Sequence, residues 1–164
     1  MKGFIGSANI DTNSRLCMAS SVAGHRRAFG ADTVPGTYAD LEEADLVVLV
    51  GSNLAWCHPV LFQRLAAAKA ERPRMRVVLV DPRRTMTADL ADLHLPIRPR
   101  SDLALLNGLI HVVLQHDLVD HDFVRAYTTG FEALRESVRD YTPEHVAEIT
   151  GIAPEVIYRT AWVY

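Results

Sequence analysis

Three short apolar runs organise the middle of the chain. They cover residues 45–50, 76–80 and 93–97, and each is followed by small, polar or charged residues. The first two runs are rich in valine and leucine and do not alternate with polar residues, which is typical of strands buried on both faces of a sheet. About thirty residues separate them, the length of a βαβ unit, so we predict parallel strands with a right-handed crossover. Pro96 predicts that the third strand is short or at an edge.

Helical patterns surround these predicted strands. Pro59 suits the first position of a helix over residues 59–70, and Ser101 suits the N-cap of a helix whose apolar stripe runs from Leu103 to Leu114. Further helices or turns are predicted over residues 16–29, 38–44, 85–92, 120–128, 131–138, 142–150 and from 154 onward. The pattern therefore predicts an α/β fold: a three-layer, Rossmann-like parallel sheet with flanking helices and short C-terminal helices.

Length and charge narrow the function classes. With 164 residues the chain can form one compact domain with a core, and its 17 basic and 20 acidic residues give a net charge of −3. That balance provides no electrostatic reason to expect a nucleic acid or an anionic membrane as partner. No apolar run approaches the roughly 18–20 residues of a membrane span. Cys17 and Cys57 do not form a disulfide framework.

Candidate ligand-binding residues follow the predicted strands, because open α/β sheets bind ligands at the carboxyl ends of their strands. Gly51 comes directly after the first strand and would let a ligand approach the backbone closely. It lacks the other glycines of the G-x-G-x-x-G pattern, so a simple NAD site is disfavoured. On the residues alone, Gly51 to Asn53 are equally consistent with an ordinary strand-to-helix turn.

Charged residues at the next two strand ends suit a nucleotide. Asp81 can accept hydrogen bonds from ribose hydroxyls or a purine edge, and Arg83 can bind a phosphate. A surface salt bridge is the simpler explanation of this pair, and Asp102 can be a first-turn acid that interacts with the helix dipole. His58 either faces the ligand or fills a turn. Cys17, in the first turn of a predicted helix, is favoured as a thiolate, although a lone cysteine is more commonly a small buried residue.

Three segments together resemble one family of enzymes. They are NIDTNSRLCMAS at residues 9–20, GSNLAWCHP at 51–59 and DPRRTMTA at 81–88. In this order they resemble the molybdopterin oxidoreductases, which bind a molybdenum or tungsten bis(molybdopterin guanine dinucleotide). Within that family, the Asn-x-x-x-Cys-Met pattern of the first segment is most similar to the catalytic subunit of assimilatory nitrate reductases.

The resemblance implies a role for each matching residue. Cys17 would be the thiolate ligand of molybdenum, and so the catalytic and metal-binding residue, within an N-terminal region 1–44 that carries the metal-ligand loop. The α/β subdomain, residues 45–164, would hold the dinucleotide. The implied cofactor-binding residues are Asn13 beside the pterin, Gly51, Ser52, Asn53, Ala55 and His58 along the pyrophosphate and pterin, Asp81, Pro82 and Arg83 at the guanosine, and Ser101 and Asp102 completing that pocket.

The resemblance also implies a reaction. A longer parent enzyme would reduce nitrate to nitrite by oxygen-atom transfer at molybdenum, in cytoplasmic nitrate assimilation. Electrons would come from a donor protein or reductase subunit through an iron–sulfur cluster that this chain lacks the cysteines to bind. We expect the chain to be a fragment that is inactive alone. The same domain of a formate dehydrogenase, a non-catalytic nucleotide-binding module and a scaffold domain are the alternatives.

Overall fold

The structure, a computed structural model, describes residues 2–9 and 18–163. The chain divides into two compact units, residues 1–37 and 38–164. The first unit contains helices α1 (Lys2–Ile5) and α2 (Ala19–Phe29), and α2 ends at Gly30, which has a φ of +78°. Asn13 and Cys17 lie outside the described residues, so their roles remain predictions.

The second unit contains the sheet. Its elements in chain order are α3 (Tyr38–Glu43), β1 (Leu46–Val50), α4 (Leu54–Cys57), α5 (Pro59–Glu71), β2 (Arg76–Val80), a 3-10 helix (Met86–Asp89), β3 (Leu93–Leu95), α6 (Asp102–Gln115), α7 (His121–Tyr127), α8 (Phe131–Ser137), α9 (Pro143–Thr150) and α10 (Pro154–Val163). The predicted α/β fold is confirmed. The short helix α4, however, was not predicted.

The sheet is parallel, with strand order β1-β2-β3. Val47 pairs with Val77, and Val80 pairs with Leu95. The third strand ends at Leu95 rather than at the predicted residue 97. Pro96 has no amide hydrogen to donate to a ladder, and the amide of Ile97 donates instead to the carbonyl of Leu95 at 2.9 Å.

The central strand β2 contributes to two hydrophobic cores. Val77 and Leu79 lie in one core with Leu65 of α5, on one face of the sheet. Val78 and Val80 lie in a second core on the other face. That second core includes Leu105, Leu109 and Val112 of α6, Val146 of α9 and Ile157 of α10. The arrangement is therefore three layers, with helices on both sides of the sheet.

The side chains before α7 and α6 behave differently, and of the two only Ser101 was predicted as an N-cap. The carboxylate of Asp120 accepts a hydrogen bond from the amide of Phe123 at 2.8 Å and caps α7. Ser101 occupies the N-cap position of α6 as predicted, but its hydroxyl donates to the carbonyl of Arg98 at 2.6 Å and does not cap the helix. Among the described helices, none is long and apolar enough to cross a membrane.

Candidate functional site

The loop after β1 begins at Gly51, whose backbone is in the left-handed region with a φ of +57°. Its amide donates to the carbonyl of Val80 at 2.8 Å, which fixes the loop to the end of β2. Apart from its two chain neighbours, no atom of residues 2–9 and 18–163 lies within 4 Å of the position that a Cβ would take. The strand end is thus both anchored and open, as close approach of a ligand to the backbone requires.

Asp81 is held rigidly at the carboxyl end of the central strand. Asp81 is only 7% exposed, and its amide donates to the carbonyl of Leu95 at 3.2 Å. The carboxylate accepts a hydrogen bond from the amide of Arg83 at 2.7 Å, and the Asp81 carbonyl lies 2.8 Å from Nε2 of His94. Neither Asp81 nor Arg83 takes part in an ion pair within residues 2–9 and 18–163. A surface salt bridge therefore does not explain this pair.

Thr87, which sequence reasoning missed, joins the two loops. It is fully buried, and its hydroxyl accepts a hydrogen bond from the amide of Ala55 at 3.1 Å. The same hydroxyl donates to the side-chain oxygen of Asn53 at 3.5 Å. Nearby, the indole N–H of Trp56 donates to the sulfur of Met86 at 3.0 Å. The loop after β1 and the loop after β2 are therefore hydrogen-bonded to each other.

Thr85 carries a second signal that the sequence alone did not reveal. Its hydroxyl oxygen is buried and has no hydrogen-bond partner in the described part of the chain. A buried unpaired hydroxyl costs about 1–3 kcal/mol, so such groups in native proteins call for an explanation. It lies four residues after Asp81, in the loop that Thr87 connects to Asn53. A ligand with polar atoms at this edge of the sheet would supply the missing partner.

His58 lies apart from the hydrogen-bonded loops. Its amide donates to the carbonyl of Leu54 at 2.9 Å, and it separates α4 from α5. Together with Tyr38 and Arg64 it lines a cavity of about 280 Å³. His58 thus occupies the turn between the two helices, and contact of its ring with a ligand stays a prediction.

Ser101 and Asp102 stand where β3 gives way to α6, at the same carboxyl edge of the parallel sheet. Ser101 is buried, and its carbonyl accepts the amide of Leu105 at 3.1 Å. Asp102 is exposed in the first turn of α6. No hydrogen bond among the described residues links this pair to the loops after β1 and β2. Contact of this pair with the same ligand stays a prediction.

Comparison with known proteins identifies the family. The model of the molybdopterin oxidoreductases matches residues 1–153. The chain belongs to the molybdopterin oxidoreductase family. It is 52% identical over 160 residues to a nitrate reductase of Klebsiella oxytoca, an alignment that covers 96% of this chain and 18% of the relative. Formate dehydrogenase H of Escherichia coli is 35% identical over 163 residues, which cover 99% of this chain and 22% of the relative.

A solved structure in the family has the same fold. Acetylene hydratase from Pelobacter acetylenicus superposes with a TM-score of 0.77 at 33% identity, covering 96% of this chain and 21% of that protein. The molybdopterin oxidoreductase chain therefore spans about a fifth of the length of each of these three proteins.

The family implies a molybdenum–pterin cofactor, and the described residues after β1 and β2 fit the polar part of such a group. An open left-handed glycine, a buried carboxylate and an unpaired buried hydroxyl come from two loops that are hydrogen-bonded to each other. Arg83, which is exposed, belongs to the second of these loops, and its amide donates to the Asp81 carboxylate. These groups offer backbone access, hydrogen-bond acceptors and donors, and a positive charge, which together suit a polar, anionic ligand.

Proposed function

We propose that this chain holds one dinucleotide of a molybdenum bis(molybdopterin guanine dinucleotide) in an enzyme that reduces nitrate to nitrite. The 52% identity to a nitrate reductase, extending over 160 residues, is the observation that carries the choice of reaction. The hydrogen bonds that Thr87 makes to the loop after β1 support the proposed binding surface.

In this proposal the two parts of the chain bind different parts of the cofactor. Residues 1–44 supply the metal-ligand loop, with the Cys17 thiolate on molybdenum and Asn13 beside the pterin. Residues 45–164 bind and orient the dinucleotide. The buried carboxylate of Asp81 accepts hydrogen bonds from the guanosine, and Arg83 binds a phosphate. The remaining groups proposed around the cofactor are Gly51, Ser52, Asn53, Ala55, His58, Pro82, Ser101 and Asp102.

The protein positions the cofactor and the cofactor supplies the chemistry. When bound, the molybdenum centre would supply two-electron oxygen-atom transfer for the conversion of nitrate to nitrite. Electrons would come from a donor protein or reductase subunit through an iron–sulfur cluster held elsewhere in the whole protein. We assign the whole protein to the cytoplasm, which cell fractionation would test.

Binding of guanosine phosphates tests the proposed role of Asp81. Calorimetric titration of the chain with GDP and with ADP is expected to give tighter binding of GDP. In Asp81→Asn the binding of GDP is expected to weaken at least about tenfold, because the two accepting oxygens of the carboxylate are replaced by one accepting oxygen and one donating nitrogen. Asp89→Asn is the matched control, since Asp89 is an exposed aspartate on the neighbouring 3-10 helix. Preference for ADP, or equal losses in both variants, would favour the non-catalytic nucleotide-binding module.

Analysis of the whole protein tests the metal role of Cys17. In Cys17→Ser, guanine dinucleotide content is expected to persist while nitrate reduction is lost, because an alcohol is a much poorer ligand than a thiolate. Full nitrate reduction by this variant would contradict the proposal.

A formate dehydrogenase is the second candidate, supported by the 35% identity to formate dehydrogenase H over nearly the whole chain. Cys17 alone does not separate the two reactions. Two assays of the whole protein separate them. One uses nitrate with reduced viologen, and the other uses formate with an electron acceptor. Formate oxidation without nitrate reduction would replace the first proposal by the second.

A further inference from the structure

Arg100 has a backbone conformation that arginine rarely adopts. Its φ is +71°, in the left-handed region that a Cβ disfavours and that glycine normally occupies. Within the described part of the chain, Asp117 is the other residue besides glycine with a positive φ, of +55°. Aspartate tolerates this region, and Asp117 follows α6 directly, where a left-handed residue commonly ends a helix. Arg100 has no such local explanation.

The conformation belongs to a tight turn over residues 98–101. The amide of Ser101 donates to the carbonyl of Arg98 at 3.2 Å, with Pro99 in the second position of the turn and Arg100 in the third. This is the pattern of a type II turn, whose third position requires a positive φ. Glycine meets that requirement at no steric cost, so the turn itself does not call for an arginine.

Hydrogen bonds on both sides hold the turn in place. The amide of Arg98 donates to the carbonyl of Thr150 at 2.9 Å, and its guanidinium donates to the carbonyl of Glu148 at 2.5 Å. The hydroxyl of Ser101 donates to the carbonyl of Arg98 at 2.6 Å. A strained residue persists only where its surroundings fix it, and such residues cluster at sites that bind ligands.

The turn lies at the carboxyl edge of the sheet, beside the loop after β2. It follows β3, and the carbonyl of Leu95, the last residue of β3, accepts the amide of Asp81 at 3.2 Å. Neighbouring strands of a sheet lie about 4.8 Å apart. Arg83 and Arg100 therefore belong to segments that leave the ends of two adjacent strands at the same edge.

These two arginines are also the ones at this edge that are available to an anion. Arg84 is paired with Asp89 at 3.5 Å, and Arg98 donates to a backbone carbonyl. Arg83 and Arg100 are exposed, and neither side chain has an ion pair or a hydrogen bond within residues 2–9 and 18–163. A guanidinium presents paired donors that match the oxygens of a phosphate.

We propose that Arg100 binds a phosphate at this edge together with Arg83, so that the site holds a diphosphate group between two loops. A diphosphate carries more than one negative charge, and a cation from each loop can neutralise part of it. The turn keeps an arginine at a strained position because glycine would form the turn without supplying the charge. This contact rests on the proposed function, which attaches the diphosphate to a guanosine.

Titration with inorganic pyrophosphate tests the contact. Calorimetry is expected to show that the 164-residue chain binds pyrophosphate and that Arg100→Gly weakens this binding at least about tenfold, because a charged hydrogen-bond donor is lost. Arg100→Lys keeps the positive charge and is expected to lose less. Arg74→Ala is the matched control and is expected to bind as the unchanged chain does, since Arg74 is exposed but precedes β2, at the opposite edge of the sheet.

Thermal melting separates the loss of binding from a loss of folding. Arg100→Gly is expected to raise the Tm by about 1–4 °C, because glycine adopts the left-handed conformation readily. Weaker binding of pyrophosphate by a chain that has become more stable would not arise from damage to the fold. It would arise from the missing guanidinium.

Four results would overturn the proposal. They are no binding of pyrophosphate by the unchanged chain, equal binding by Arg100→Gly, a lower Tm in Arg100→Gly, and an equal loss in Arg74→Ala. A lower Tm would mean that arginine stabilises the turn itself, and an equal loss in the control would reduce the effect to overall charge. The guanosine assignment fails separately. A chain that binds pyrophosphate through Arg100 but prefers ADP to GDP would keep this contact and contradict the role proposed for Asp81.

Discussion

The hydroxyl of Thr87 lies 3.1 Å from the backbone amide of Ala55, although 32 residues separate them in the chain. Through this hydrogen bond the loop that leaves β2 holds the loop that leaves β1. Thr87 is fully buried while the residues that it positions are partly accessible. The proposed ligand edge of the sheet is thus positioned by a residue that is itself fully buried.

Replacing this hydroxyl by a methyl group is expected to destabilise the chain. Thr87→Val keeps the shape of the side chain but leaves the Ala55 amide without its acceptor, at a cost of about 1–3 kcal/mol. Urea denaturation of the two chains measures the difference. Thr160→Val is the control: its hydroxyl is also buried but donates only to the carbonyl of Val156 within α10, so the loss is smaller. Equal losses would show that Thr87 does not bridge the loops.

The left-handed backbone of Gly51 predicts a second difference. Gly51→Ala is expected to lower the free energy of unfolding by about 1–2 kcal/mol, because a Cβ disfavours a positive φ. Beyond the two chain neighbours, no atom of the described residues lies within 4 Å of the Cβ position, so only this local backbone penalty applies. Gly51→Asn is expected to lower the free energy of unfolding by less than Gly51→Ala does, because asparagine tolerates a positive φ better. Thermal melting followed by circular dichroism ranks the variants, and a larger loss with Asn would contradict the reasoning.

Asp92 makes the stability of the sheet depend on pH. Burial raises the pKa of its carboxyl, but hydrogen bonds from Lys69 and from the amide of Val77, with the nearby charges, outweigh it and hold the pKa below its usual value. The donors lie 2.5 and 2.7 Å from Oδ2. A group whose pKa is lower in the folded state stabilises the fold above its unfolded pKa, and this stabilisation disappears as pH falls through the folded value.

Asp92→Asn is therefore expected to lower stability at neutral pH and to flatten the loss of stability below about pH 4. Urea denaturation at a series of pH values measures both effects. Asp89→Asn serves as the control, since its ion pair with Arg84 is 3.5 Å long and exposed on both sides, and such pairs contribute little. An unchanged slope below pH 4 in Asp92→Asn would refute the assignment.

The contact between α6 and α9 leaves no room for a side chain at Gly108. A Cβ there would lie 2.8 Å from Cγ2 of Val146, closer than real contacts allow. Gly108→Ala is expected to cost about 1–3 kcal/mol through overpacking. Combining it with Val146→Ala, which removes the opposing methyl groups, is expected to cost less than the sum of the two single losses. Chemical denaturation of the unchanged chain, the two single variants and the double variant gives the coupling free energy between the two positions. Additive losses would contradict a steric origin.

The sheet and its main helices were predictable because their signals are local. The unbroken apolar runs before Gly51 and Asp81 predicted β1 and β2, and Pro59 predicted where α5 begins. Placing Gly51 and Asp81 at one edge required only that the strands be parallel. The early end of β3 also has a local cause, since Pro96 can donate no ladder hydrogen bond.

The features that were not predictable depend on distant segments or on competition between bonds. The four residues of α4 are too few to show a helical period. The role of Thr87 depends on where two loops meet, which no local pattern encodes. The hydroxyl of Ser101 can either cap α6 or donate to the carbonyl of Arg98. In the tight turn before the helix it donates to the carbonyl. Asn13 and Cys17 remain predictions.

β2 has one further consequence. Its alternate side chains belong to separate cores, so neither core can lose its packing without disturbing a backbone that the other core also needs. We therefore expect the amide hydrogens on both faces of this strand to become accessible in a single cooperative opening rather than in two steps. A defect introduced in the core beneath α10 would in this way be felt in the core beneath α5, on the far side of the sheet.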